Sequence, residues 1–546
     1  MNWVLMTSGV TLKIDSERLS ALFAEWDNDK GPGGAVAILS DGEVVFRKGY
    51  GLADVNAGRA FEPDSVCRIA STTKQFTTTL ILLLQERGLL CLNDAIRNYI
   101  PELQFRDADL TIKQLCQNIS GIRDHLNLIN ISGGSLTGSV TGGGVKDLII
   151  HQESLQFSPG VQFRYSNSNF VILSWIIERL MGMPFADCLK AEIFEPLGMT
   201  STALCEYAKA TMPPGAVVAY LEDASEGWIP NPRYQNVSLL GEGGVVSTVD
   251  DMLLWEKNFD QNIIGSPRLL EGLKEGAVLK SGQRVDYGLG LFSMEFDGVK
   301  VEGHPGMLAN IRSSRLRLPD HGLSVIALCN HPGSSPMDLS LRAIKGLLGG
   351  VESGSSPPPT DSQSCFGQQY CGTYSNPDTG FSLQLLIENT QPLLNICGVD
   401  YLLEFDGDAT YASGPANIDR PAAVRLGAVD GQILISSGNG PFCVYGREPG
   451  REGGRDNLLG RYYCKELKTT YSIEKNDDGI VASAAGPIGV FDNRVLEPIA
   501  QYVFLLDIEN EGKANLRFSV QGDGRVLGFH LGGDRSEGLY FSKIPS

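Results

Sequence analysis

Apolar residues recur at three- and four-residue steps from Thr72 onward, at Phe76, Leu80, Leu83 and Leu84, and Gly88 is placed to end the run. That spacing predicts a helix, and the unbroken apolar stretch at 80–84 predicts burial on every side. Ahead of it, 16–29 reads as an amphipathic helix carrying Leu19, Leu22, Phe23 and Trp26, broken by Gly31-Pro32-Gly33-Gly34. Residues 35–39 and 44–46 then read as two strands about an Asp41-Gly42 turn. Helices and loops dominate to about residue 290, with helical patterns at 111–116, 171–180 and 250–259. Strand patterns return at 298–302, 310–318 and 323–329, and an amphipathic helix at 337–348 closes the unit. Two strands at the start, three at the end and helices between predict an α+β domain. Its expected form is a five-stranded antiparallel sheet flanked by helices, with a helical lobe inserted. A cleft is expected where lobe meets sheet.

The texture changes at 349–364, where three consecutive prolines with Gly and Ser read as a linker. Beyond it come short alternating strands and frequent glycine turns, with no long helix. The stretch is also repeated. Gly372-Thr373-Tyr374 with Asp378 resembles Gly460-Arg461-Tyr462 with Glu466, and 445–449 resembles 541–545. Two similar all-β units fit small closed antiparallel barrels. The expected domains are therefore 1–348, a linker at 349–364, and barrels at 365–450 and 456–546, with the joint at 451–455.

Composition narrows the function. With 546 residues the chain exceeds one core, and 42% hydrophobic and 20% charged residues describe a soluble globular protein. A net charge of -19 disfavours nucleic acid and anionic membranes as partners. Eleven irregularly spaced cysteines read as reduced thiols. Residues 1–6 carry no basic start or apolar run of a signal peptide, and no span is apolar enough to cross a membrane, so a cytoplasmic location is expected. Neither His-Glu-x-x-His nor Cys-x-x-Cys occurs, so no metal or other cofactor is expected. The glycine-rich run 133–144 lacks the Gly-Lys-Ser/Thr ending of a phosphate loop and reads as a mobile loop near the cleft.

Candidate chemistry begins at Ser71-Thr72-Thr73-Lys74. Residues three apart share a helix face, which sets the Ser71 hydroxyl beside the Lys74 amine. Desolvation and the positive helix end both favour the neutral, basic lysine. The bland alternative is a capping serine followed by a surface lysine. Tyr165-Ser166-Asn167 follows the Ser158-Pro159-Gly160 turn, and His304-Pro305-Gly306 begins an edge among the late strands. Taken singly, each is more simply a turn. Together, in this order and spacing, the three resemble the serine β-lactamase-like and penicillin-recognising hydrolases over about residues 30–348. Pro196-Leu197-Gly198-Met199, Gly244-Val245-Val246-Ser247-Thr248 and Tyr287-Gly288-Leu289-Gly290 agree with that resemblance. A histidine where that group usually has the lysine of Lys-Thr-Gly, and the two β units behind, look like the three-domain D-aminopeptidases. Lys30 to Gly34, Lys74-Gln75-Phe76-Thr77 and Ser120-Gly121-Ile122-Arg123-Asp124 are similar to that group as well.

This resemblance implies a homodimer without a metal, acting on peptides, amides or esters with an N-terminal D-residue, with β-lactams as candidate inhibitors. It implies that Ser71 attacks the carbonyl while neutral Lys74 or ionised Tyr165 takes its proton. The N–H groups of Ser71 and Met307 would hold the oxyanion, with Gly306 allowing close backbone approach. Tyr165 would protonate the leaving amine, Asn167 would position Lys74 and the substrate carbonyl, and His304 would support the tyrosine hydroxyl network. In that group a long loop of the last domain offers an aspartate to the substrate amine. Here the connection 506–516 is shorter, and Asp507, Glu509 and Glu511 are its candidates, the alternative being a solvated acidic turn. Two further readings stay open. One is a β-lactamase, DD-peptidase-like esterase or general amidase on the same fold, although lactams and peptidoglycan are met outside the cytoplasm. The other is a binding protein without activity, which has no need of Ser71, Lys74, Tyr165 and His304 together.

Overall fold

A computed structural model describes residues 2–7, 10–105, 109–348, 368–388, 391–405, 410–413, 422–426, 432–437, 443–450, 455–508, 512–533 and 535–545. The linker expected at 349–364, and all but Arg455 of the joint at 451–455, lie outside these residues. The chain packs as two compact units. One comprises Met1–Asp94, Phe170–Ala277 and Asp286–Thr360; the other comprises Ala95–Asn169, Val278–Val285 and Asp361–Ser546.

The first unit is built on an antiparallel sheet of six strands. Their spatial order is Phe292–Phe296, Val299–Leu308, Ile311–Leu318, Leu323–Cys329, Gly34–Ser40 and Glu43–Tyr50. Five of these were expected. The sixth, Phe292–Phe296, is short and weakly alternating in burial, and the Asp297-Gly298 turn folds it back onto its neighbour. Its pairing stops at Phe292 opposite Gly303. The next strand runs on to Leu308, paired from there only with Ile311–Leu318. Pro305, which lacks an N–H, thus stands where one ladder has already ended. Helix Lys74–Glu86 is buried along almost its whole length, with Phe76 packed against Trp255 and Phe194 at ring separations of 4.8 and 5.4 Å. Helix Val249–Gln261 is tied to the sheet through buried Glu256, which accepts from Arg315 Nε at 2.6 Å and Arg317 Nη1 at 2.8 Å. A buried acid between two guanidiniums and the Ser324 hydroxyl has its charge matched where water is absent.

The second unit joins short helices to two closed eight-stranded antiparallel barrels, Gly372–Ser375 to Cys443–Arg447 and Gly460–Cys464 to Ser536–Lys543. This is the α+β class with two barrels that the pattern predicts. The repeated tyrosines explain the repeat. Tyr374 donates to the Tyr370 carbonyl at 2.9 Å, and Tyr462 donates to the Leu458 carbonyl at 2.6 Å. Each phenol locks a 3-10 turn onto the first strand, beside the seam where first and last strands pair, Tyr374 with Arg447 and Tyr462 with Lys543. Helix Ile112–Cys116 begins with a capping box between Thr111 and Gln114. The run 133–144, expected as a mobile loop, is instead partly helical from Gly142 and partly packed. A Cβ at Gly133 would meet the Gly489 carbonyl at 2.8 Å, and one at Gly134 would meet Ile488 at 2.7 Å. Those glycines let the helical segment lie against the second barrel. Among the described residues no helix is long and apolar enough to cross a membrane.

Candidate active site

The first unit brings Ser71, Lys74, His304, Gly306 and Met307 onto adjoining elements. Ser71 lies in the 3-10 turn Ala70–Thr73 that feeds helix Lys74–Glu86, and Ala70 before it adopts φ 48°. A left-handed alanine is uncommon and marks a kink held by its surroundings. Ser313 Oγ donates to the Ile69 carbonyl at 2.7 Å, and Thr72 Oγ1 contacts Ser313 Oγ at 2.8 Å and the His304 carbonyl at 3.2 Å. The kink is thereby stitched to two strands. Lys74, fully buried, donates from Nζ to Ser71 Oγ at 3.1 Å and to the Glu242 carbonyl at 2.6 Å. The amine also lies 5.1 Å from the Phe170 ring centre. A Cβ at Gly306 would meet the Ile69 carbonyl and Ser313 Oγ at 2.4 Å each and the Ser71 nitrogen at 3.0 Å. Only glycine lets this strand run so close to the serine turn. Met307 follows with its side chain exposed.

His304 is buried, and its Nε2 lies 3.0 Å from the Tyr287 hydroxyl, with the rings edge to face at 5.7 Å. Burial, then the neighbouring Lys74, lowers its pKa to about 3, against a small opposing effect from the Pro305 carbonyl. The imidazole is neutral at neutral pH and offers one donor and one acceptor. Tyr287 was visible in sequence only as part of a short signature. Its loop reaches this place because Gly290 has φ 80° and a Cβ there would meet Thr78 Oγ1 at 2.7 Å and the Lys74 carbonyl at 3.0 Å.

Tyr165 and Asn167 belong to the second unit. Asn167 donates from its backbone N and from Nδ2 to Asp124 Oδ2, at 2.7 and 2.8 Å, and Asp124 also caps helix His125–Ile131. Tyr165 is buried with the Arg535 guanidinium 5.1 Å from its ring centre. Arg535 arrives on the turn between the last two strands of the second barrel. Its N donates to Asn127 Oδ1 at 2.9 Å, and its carbonyl accepts from the Asp124 N at 3.3 Å. Two residues on, Glu537 accepts from Arg164 Nη1 at 2.8 Å with both side chains buried, and its carbonyl accepts from Arg123 Nε at 2.7 Å. The segment presenting Tyr165 is therefore held by the barrel behind it. Asp124 had a sequence signal in the motif Ser120 to Asp124. Arg535 had none, being one arginine in a glycine-rich turn.

Of the amine-binding candidates, Asp507 is exposed at the end of strand Val503–Asp507, and its carbonyl accepts from Arg494 Nη1 at 2.9 Å. Glu509 and Glu511 lie outside the described residues. Ile508, the last described residue before them, approaches Gly533, two residues before Arg535. Among the described residues no group of three or more His, Cys, Asp and Glu side chains is gathered as a metal site.

A lysine hydrogen-bonded to a serine at the start of a buried helix, with a glycine-bearing strand laid against it, stands on a β-lactamase-like fold. The chain belongs to the Beta-lactamase family, which it matches over residues 20–348, more than half its length. Over nearly its whole length it is similar to proteins named D-aminopeptidase. It is 26% identical to that of Brucella canis over 525 residues, 95% of this chain and 96% of the relative. It is 28% identical to that of Cereibacter sphaeroides over 514 residues, 92% and 94% of the two chains. Among solved structures it resembles the octameric penicillin-binding protein homologue from Pyrococcus abyssi, with TM-score 0.55 and 21% identity over 79% of this chain and 100% of that one. It also resembles the D-amino acid amidase from Ochrobactrum anthropi SV3, with TM-score 0.50 and 24% identity over 61% and 99%. At such identities these structures establish the fold.

Proposed function

We propose that the protein is a serine hydrolase that releases N-terminal D-amino acids from peptides, amides or esters through an acyl-enzyme on Ser71. The observation that carries the reading is the 3.1 Å hydrogen bond from buried Lys74 to the Ser71 hydroxyl. In this mechanism Ser71 Oγ attacks the substrate carbonyl, and its proton passes to neutral Lys74 or ionised Tyr165. The oxyanion is met by the N–H groups of Ser71 and Met307. As the tetrahedral species collapses, Tyr165 gives a proton to the departing amine, and water then hydrolyses the ester on Ser71. Tyr165 and Asn167 enter through the family resemblance, which supports these roles for them. Neutral His304, bonded to Tyr287, serves as a fixed dipole near the nucleophile and not as a charge.

The D-preference follows from the names of the relatives, which span nearly the full chain. A homodimer rests on the same resemblance. Free thiols at all described cysteines accord with a reducing cytoplasm. The test is hydrolysis of D-alanine p-nitroanilide against its L-isomer and a chromogenic β-lactam, with wild type and Ser71→Ala. The D-isomer should be turned over fastest, and Ser71→Ala should lose several orders of magnitude. Residual activity in Ser71→Ala within about tenfold of wild type would sink the nucleophile. Equal turnover of both isomers would turn the reading towards a general amidase or esterase.

A further inference from the structure

Arg68 lies three residues before Ser71, on the two-residue strand Cys67–Arg68 that pairs with Val245–Ser247. Only 4% of it is exposed, and neither terminal guanidinium nitrogen has a hydrogen-bond partner among the described residues. Arg315 also has unbonded terminal nitrogens, but it and Arg164, both buried, each face a carboxylate. Arg315 has Glu256 at 2.6 Å, and Arg164 has Glu537 at 2.8 Å. The acidic groups that bear on Arg68 are the thiols of Cys205 and Cys67 and the Tyr234 phenol, with no carboxylate among them, and burial holds its pKa below the usual range. An uncompensated buried cation is costly and calls for an anion.

Arg68 borders a pocket of about 370 Å³ whose other polar lining is Asp54, Asn231, Arg233 and Gln235. Asp54 is held at Oδ1, which accepts from the Ala57 N at 3.1 Å and the Tyr220 hydroxyl at 3.3 Å. The walls are held in place by the fold. Val217 N donates to the Val66 carbonyl at 2.8 Å, and Asn231 Nδ2 donates to the Ala309 carbonyl at 3.0 Å. Ala309 opens the turn that follows Met307 and Leu308. The pocket is thus walled by the turn after one candidate oxyanion strand and by the strand before the nucleophile. Three residues of chain reach at most about 10 Å, so Arg68 is near Ser71 by connectivity alone.

We infer that this pocket binds a carboxylate, with the Arg68 guanidinium as its principal partner and Arg233 as a second cation. The carboxylate has two sources: the C-terminus of a short peptide substrate, an assignment that rests on the function proposed above, or a separate small organic anion. A planar guanidinium matches a carboxylate with two parallel N–H···O bonds, and the pocket volume suits a molecule of metabolite size.

Calorimetric titration of the full-length wild type with succinate tests the site without requiring turnover. Saturable one-to-one binding is expected, with succinamide failing to bind and Arg68→Met weakening succinate at least tenfold. No saturable binding to wild type, or undiminished binding to Arg68→Met, overturns the inference. Should Arg68→Met fail to fold, Arg233→Met takes its place, and unchanged affinity there overturns it equally. Turnover of D-alanyl-glycine against D-alanyl-glycinamide then separates the sources. A preference for the free carboxylate that Arg68→Met abolishes assigns the pocket to substrate; an unchanged ratio beside lost succinate binding assigns it to a separate anion. Absence of turnover on both peptides would count against the hydrolase reading and leave the succinate result intact.

Discussion

His304 keeps its ring neutral because burial and nearby Lys74 lower its pKa to about 3. An unfolded histidine titrates near 6.5, so on acidification the unfolded chain takes up a proton that the folded one refuses. The stability contributed by this neutral burial is complete above about pH 6.5 and is lost as the pH falls towards about 3. Urea unfolding of the full chain at several pH values in that window should show the decline, and His304→Asn should flatten it by about one proton. A slope unchanged by the substitution would show that His304 is not the group refusing the proton. Tyr165 carries a second prediction. Tyr165→Phe keeps an aromatic ring beneath Arg535 and so keeps the packing, but removes the hydroxyl. Amide hydrolysis should fall about 100-fold or more while an activated ester loses within about tenfold, because an amine must be protonated to leave. Equal losses would assign Tyr165 to activation of Ser71. The residue types of this chemistry were legible in the sequence because their spacing is fixed along short segments. Their partners were not. Glu242 meets Lys74 through a backbone carbonyl, which leaves no residue preference for a pattern to reveal, and Tyr287, visible only within a short signature, gave no sign that its hydroxyl meets His304.

The elements that carry the serine depend on two backbone features. Ala70 takes a left-handed φ, and Gly306 on strand Val299–Leu308 passes where a side chain cannot fit. Gly306→Ala would set a methyl 2.4 Å from both the Ile69 carbonyl and Ser313 Oγ. Those atoms form the stitch between the serine turn and the sheet, so the strand must shift. Overpacking of this kind costs about 1–3 kcal/mol, and the same shift moves the candidate oxyanion donors. Thermal unfolding and D-alanine p-nitroanilide turnover should fall together; a stable protein with wild-type turnover would show that the approach is slack. Element type was readable wherever periodicity was long, as in helix Lys74–Glu86 and strand Leu323–Cys329. Strand Phe292–Phe296 escaped notice because three of its five residues are only partly buried, one is exposed and a tight turn separates it from its neighbour. The run 133–144 misled for a related reason. Glycines that suggest mobility in isolation are here the condition for close packing against Ile488 and Gly489.

At the scale of the whole molecule, the two barrels repeat one closure, a phenol on a backbone carbonyl beside the seam, and the second has gained a further task. Its last turn delivers Arg535 to Tyr165 and the strand after it delivers Glu537 to Arg164, contacts between residues 370 and 373 positions apart that no local pattern announces. What the barrel supplies to Tyr165 among the described residues is therefore a cation. An aminopeptidase must also meet the substrate's α-amine, cationic near neutral pH, with a carboxylate in a partly dry cleft. The Ser71, Lys74 and His304 group offers none, whereas the connection around Asp507 carries three acids in five residues. Ile508, next to Asp507, reaches Gly533 within the second unit. If these acids receive the amine, replacing Asp507, Glu509 and Glu511 together by their amides should raise KM about tenfold or more for substrates with a free amine, the scale of one lost charge-assisted hydrogen bond. N-acetylated substrates, which never make the ion pair, should keep their KM. The ratio of the two constants isolates the amine from any general loss of fold. An unchanged ratio would place amine recognition elsewhere and move the function towards a general amidase or esterase.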